Sequence, residues 1–124
     1  MKTSIALFVL AVGLTLTACS GPEGHYGGPI TISNRTTLAE IKADPAAFNG
    51  KEVRIEGELF EVCQKMGCYF DIGDGTEAIH VDLKMGTEWT IPKNSGGHRA
   101  VLQGRVQEDG KGPTQIIGVG IDIS

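Results

Sequence analysis

The chain has 124 residues, eleven Lys and Arg against fifteen Asp and Glu, and a formal charge of −4. That length supports one domain with a modest core. Net negative charge without a basic run excludes nucleic acid as a partner, because such affinity comes from cations set against phosphates.

The chain opens "MKTSIALFVLAVGLTLTACSG". Lys2 provides a basic start, and the apolar run that follows is too short to span a bilayer, so residues 1–18 read as a secretory signal. The segment "LTAC" at its end resembles the bacterial lipobox, in which cleavage falls just before the cysteine. That resemblance implies lipid on Cys19, an anchor of several acyl chains that holds almost permanently. Ser20 follows, and a residue other than aspartate there implies the outer membrane, facing the periplasm. Loss of Lys2 with the signal moves the formal charge from −4 to −5.

Residues 19–35, including "SGPEGHYGGPITISNR", read as a mobile lipidated tether of glycine, proline and polar residues. His25 and Tyr26 are expected to be solvated within it. The domain is expected over residues 36–124. Thr37 and Glu40 have capping-box spacing, with Leu38 and Ile41 on one face of a short helix. Pro45 ends that helix, and Asp44–Pro45 opens one further turn as N-cap and N1. Phe48 is expected to pack inward, and Asn49–Gly50 to supply a left-handed exit.

In "KEVRIEGELFEVC", Val53, Ile55 and Leu59 alternate with Arg54, Glu56 and Glu58, the pattern of a half-buried strand. Gly57 in its middle predicts a bend or bulge. "CYFDI", "AIHVDL", "HRAVLQGRV" and "TQIIGVGIDI" supply four more strands. Five strands, the first long and bent, predict a mainly β protein, a small five-stranded OB-like Greek-key barrel with a short N-terminal helix. Lys84 to Gly97 is expected to be an irregular plug at the barrel end, with Trp89 in the core.

The order "FNGKEVRIEGELFEVCQKMGCYFDIGDG", then "IHVDL" and "IPKNSGG", resembles a domain-of-unknown-function family of small exported bacterial proteins and lipoproteins. The matching positions are Gly50, Lys51, Val53, Gly57, Val62, Cys63, Gly67, Cys68, Pro92 and Gly97, within residues 47–107. Tyr69 stands where the family usually carries tryptophan, and Ile91 precedes the proline. The resemblance implies an exported OB-like module and supplies no activity.

With Cys19 lipidated, Cys63 and Cys68 remain for an oxidising compartment. They are expected to face each other across the Gln64–Gly67 turn as a hairpin disulfide, since opposed strand positions lie within bridging reach. The alternative is a metal site in which Cys63, Met66 and Cys68 hold copper or zinc. A thiol-redox pair is the third reading, without the helix N-terminus that lowers a thiol pKa in C-x-x-C motifs.

Alternation places Tyr69, Asp71, His80 and Asp82 outward, on the sheet face where OB folds bind ligands. An aromatic among carboxylates suits a sugar, a cation or a cationic peptide. No haem, nucleophile-elbow, zincin or P-loop motif occurs. The expected function is therefore a non-catalytic binding or scaffold module of the cell envelope. It requires no cofactor unless copper or zinc occupies the cysteines. Its partners are the membrane and an unidentified envelope protein or small ligand.

Overall fold

The computed structural model describes residues 21–86 and 88–124. The signal segment, Cys19 and Ser20 lie outside the described residues. The described chain contains β1 (Gly24–Gly27), α1 (Leu38–Ala43), α2 (Pro45–Phe48), β2 (Glu52–Phe60), β3 (Tyr69–Gly73), β4 (Ala78–Asp82), β5 (Arg99–Gln107) and β6 (Gln115–Ile123). A 3-10 turn spans Lys84–Gly86.

Strands β2 to β6 close a barrel in the order β2–β3–β4–β6–β5, with β5 pairing back to β2. The pairings are antiparallel except β4 with β6, where the chain returns across the barrel end. This is the expected five-stranded OB-like Greek-key barrel. Alternation along each strand fills its interior: Ile55, Leu59, Phe70, Ile72, Val81, Leu102, Ile116 and Ile121 are fully buried.

The helices form for the local reasons visible in their residues. Glu40 donates its backbone N–H to Thr37 Oγ1 at 3.2 Å, and Glu40 Oε2 accepts from the Thr37 backbone at 2.8 Å. Leu38 and Ile41 on the inner face are buried against the barrel. Asp44 caps α2, Pro45 occupies its first turn, and Gly50 takes a φ of 78° beyond Asn49.

Three details depart from the sequence reading. Gly24–Gly27 of the expected tether is a strand, antiparallel to β6, and Tyr26 packs against the core. His25 Nδ1 lies 2.6 Å from Asp122 Oδ1, and the buried Gln103 Oε1 accepts from Thr31 N at 2.7 Å and Ile32 N at 3.1 Å. The barrel's own hydrogen bonds thus extend into residues 24–32. Second, the irregular register falls between Gln103 and Gly104 of β5, where Val119 of β6 is the extra residue, and not at Gly57. Gly57 instead permits a close approach: a Cβ there would stand 2.4 Å from the Gly73 carbonyl oxygen. Third, β2 ends at Phe60, because Glu61 turns to a φ of 50°. Cys63 and Cys68 therefore lie on a loop.

Gly57→Ala forces that backbone contact apart, and its expected cost is about 1–3 kcal/mol by urea unfolding. An unchanged midpoint would show that β2 can reach β3 without it.

The docking of β1 is expected to depend on pH. The hydrogen bond to Asp122 raises the His25 pKa above its ordinary value. A raised histidine contributes in full below the unfolded value of about 6.5, and its contribution is lost as pH rises through the folded one. Amide protection at Gly28, whose N–H donates to Val119 O, should fall across that window after normalisation to intrinsic exchange. His25→Ala should abolish the step, and a step that persists in the variant would remove His25 as its cause.

Candidate functional site

Two neighbouring groups of side chains lie around strand β3, one on its outer face and one on the loop before it. The outer group is set by the β3–β4 hairpin. Asp74 Oδ1 accepts from Thr76 N at 3.0 Å and Glu77 N at 2.8 Å, closing the turn. The resulting register places Asp71 opposite His80 and Tyr69 opposite Asp82. Odd-numbered positions of β4 and even-numbered positions of β3 fill the core, so all four side chains point outward, as their parity in the sequence requires.

His80 Nδ1 lies 2.9 Å from Asp71 Oδ1, which fixes the imidazole on the face. Tyr69 tilts against it with ring centroids 5.5 Å apart and an interplanar angle of 43°. The tyrosine is 42% exposed, with its ring available to a ligand. Asp82 has a structural duty that its place on the face did not reveal. Its Oδ1 accepts from Lys84 N at 2.8 Å and turns the chain out of β4.

The second group is the loop Glu61–Cys68. Gly67 donates its backbone N–H to Cys63 O at 3.0 Å and has a φ of 64°. Cys63 N donates to Tyr69 O at 3.0 Å, and Leu83 N to Cys68 O at 2.9 Å. The irregular loop beyond β4 holds it from the other side. Ile91 N donates to Gly67 O at 3.1 Å, and Gln64 Nε2 donates to Lys93 O at 3.0 Å and Val62 O at 2.9 Å. A Cβ at position 67 would stand 2.0 Å from the Ile91 carbonyl oxygen, so a glycine is required there. Ile91 is buried and Trp89 packs against the core from the same irregular segment.

Both cysteines are buried, and both are free thiols. The Cys68 thiol donates to Cys63 Sγ across 3.7 Å, whereas a disulfide brings sulfurs to about 2.04 Å. The expected hairpin bridge is thus not the arrangement found. The ladder that pairs Phe60 with Asp71 breaks at Glu61, so these residues are not opposed strand positions. Backbone N–H groups of Met66 and then Lys65 hold the Cys63 thiol down to about 6 against the opposing effect of burial. Burial pushes Cys68 up, and the neighbouring Cys63 sulfur adds to that rise. The negative charge on Cys63 in turn raises the Tyr69 phenol.

An open cleft of about 540 Å³ lies over this loop, lined by Glu61, Cys63, Met66, Cys68 and Tyr69 among others. Among the described residues, the large exposed apolar side chains are Phe60, Met66 and Tyr69, all on or beside this loop. Sequence reasoning grouped Cys63, Met66 and Cys68 as its alternative metal site and read residues 84–97 as a plug at the barrel end. It did not bring Glu61 and Tyr69 to the same cleft, nor the backbone bond from Ile91 that holds the loop.

The fold and its exposed loop define an OB-like barrel with a thiol-bearing cleft. No protein-family model matches the chain, and no curated protein matches it in sequence. Among solved structures it is similar to the hypothetical protein ygiW from E. coli. The two share 20% identity over 78% of this chain and 99% of that one, with a TM-score of 0.53. The likeness is one of fold.

Outward and inward positions on β3 should respond differently to truncation. Tyr69→Ala and His80→Ala are expected to change stability by about 0.5 kcal/mol or less. Phe70→Ala, which empties a fully buried site, should cost about 3–5 kcal/mol in the same urea titration. Comparable losses at Tyr69 and Phe70 would contradict the assignment of faces.

Proposed function

We propose that the chain is a non-catalytic binding module of the bacterial cell envelope. It is anchored through lipid on Cys19 in the outer membrane, and its barrel faces the periplasm. Its ligand lies on the outer face of β3 and β4 and is cationic, either a small molecule or a basic segment of an envelope protein. The observation that supports this most is the exposed Tyr69 ring tilted on His80, with Asp71 and Asp82 on the adjoining rungs. A ring face and carboxylates attract the same charge, and each contact gains as the ligand sheds water. The protein's net negative charge favours the same class of ligand over an anionic one.

Two experiments test the two halves of this reading. An alkyne fatty acid should label the wild-type protein and fail to label Cys19→Ala, with the wild type in the membrane fraction. Equal labelling, or a soluble wild-type protein, would sink the anchor. An oligolysine peptide should shift the backbone amide signals of Tyr69–Asp71 and His80–Asp82. Tyr69→Ala should then weaken the peptide about two- to fivefold, the equivalent of a cation–π contact of about 0.5–1 kcal/mol at an exposed site. Shifts confined to other strands would move the site off this face.

A further inference from the structure

The thiol loop carries a second inference, independent of the outer face. We propose that Cys63, Cys68 and Met66 form a binding site for one monovalent copper ion. The first support is the spacing of the sulfurs. Two thiolates on one three-coordinate metal at about 2.3 Å each stand about 4.0 Å apart. Cys63 and Cys68 hold theirs at 3.7 Å, so a shared ion asks them to part by only about 0.3 Å, whereas a bridge requires the loop to close until the sulfurs stand about 2.04 Å apart.

The second support is the placement of a third soft donor. Met66 is 56% exposed and fills no cavity. Its terminal methyl lies 3.6 Å from the point where a Cβ on Gly86 would stand, and Cys68 Cβ lies 3.3 Å from the same point. Met66 and Cys68 thus both border the space beside Gly86 and line the same cleft. Gly86 leaves that space open, since a Cβ there would stand 2.8 Å from the Thr90 side chain. The third support is rigidity: backbone bonds to Tyr69, Leu83 and Ile91 fix the loop, so little ordering remains to be done when an ion enters.

The donor set also selects the ion. A structural zinc site takes four ligands from Cys, His and carboxylates. Among the described residues no cluster of three or more His, Cys, Asp or Glu exists, and His80 faces the outer sheet surface. Two thiolates and a thioether form a low-coordinate soft set, the kind that selects Cu(I) over harder divalent ions. No electron is transferred on binding, and each thiol that coordinates releases its proton to solvent.

The test uses the full-length protein extracted in detergent, reduced, freed of metal and kept anaerobic. Titration with Cu(I) should end at one equivalent and produce a thiolate-to-copper ultraviolet band. Cys63→Ser and Cys68→Ser should each lose both the equivalent and the band while keeping the wild-type circular dichroism. Met66→Leu, on the surface and safe for the fold, should keep the equivalent but surrender it to a competing chelator sooner than wild type. It therefore reads the site even if a serine variant misfolds. No uptake, or uptake unaffected by either serine, would overturn the proposal. So would displacement of the bound copper by an equal concentration of Zn(II), or unchanged retention in Met66→Leu.

Discussion

The barrel closes because β2 can serve two neighbours, and it can do so because two backbones pass very close at Gly57 and Gly73. Along Glu52–Glu58, β2 pairs with β5, and along Glu58–Phe60 it pairs with β3. The handover falls where Gly57 carries no side chain, so the two backbones can approach without displacing the Gly73 carbonyl. A β2 barred from that approach would leave β3 and β5 as edges of an open sheet, with rows of unpaired backbone groups. It would also leave the inner side chains of β3 without the facing wall that buries them. Parity on β3 and β4, and with it the exposure of Tyr69 and His80, follows from that closure.

Once the barrel is closed, its end must be sealed, and the seal builds the thiol cleft. The irregular segment after β4 brings Ile91 under the Cys loop and ties it by a backbone bond to Gly67, with Gln64 Nε2 donating to Lys93 O beside it. Buried backbone groups need partners, and here the two loops satisfy each other. The same bonds fix where Cys63 and Cys68 point. A rigid scaffold supporting an exposed loop is the usual division of labour between stability and binding.

Much of this was legible in the chain because it is local. The capping box at Thr37–Glu40, the Asp44–Pro45 turn and the alternation in β2, β3 and β4 depend on neighbours in sequence, and the structure has them as read. β1 was not legible, because "GHYG" between prolines and glycines has the composition of a linker. Its partner, β6, is distant in sequence, and the segment that follows it is held at Thr31 and Ile32 by a side-chain amide, Gln103, that periodicity cannot identify. The bulge was misplaced for a related reason. Gly57, Gly104, Gly118 and Gly120 all satisfy the sequence signal for an irregular strand, and only register tells which of them accompanies an extra residue. At the candidate site the outer face was legible from parity alone. The cysteine pairing was not, because one left-handed residue, Glu61, ends the ladder before it reaches Cys63.

That single turn also decides what chemistry the cysteines can share. Had β2 run on to Cys63, the ladder would have set the cysteines directly opposite each other, at the spacing that favours a covalent staple. The turn instead wraps the backbone amides of Lys65 and Met66 around one sulfur, leaving the other as hydrogen-bond donor. A sulfur surrounded by N–H groups is stabilised as an anion, and an anion beside a second thiol is a ligand pair as well as half of a bridge. Ligation and bridging are then mutually exclusive uses of the same two atoms, because each consumes the electron pair the other needs. The loop's backbone bonds to Tyr69, Leu83 and Ile91 oppose the closure that a bridge requires.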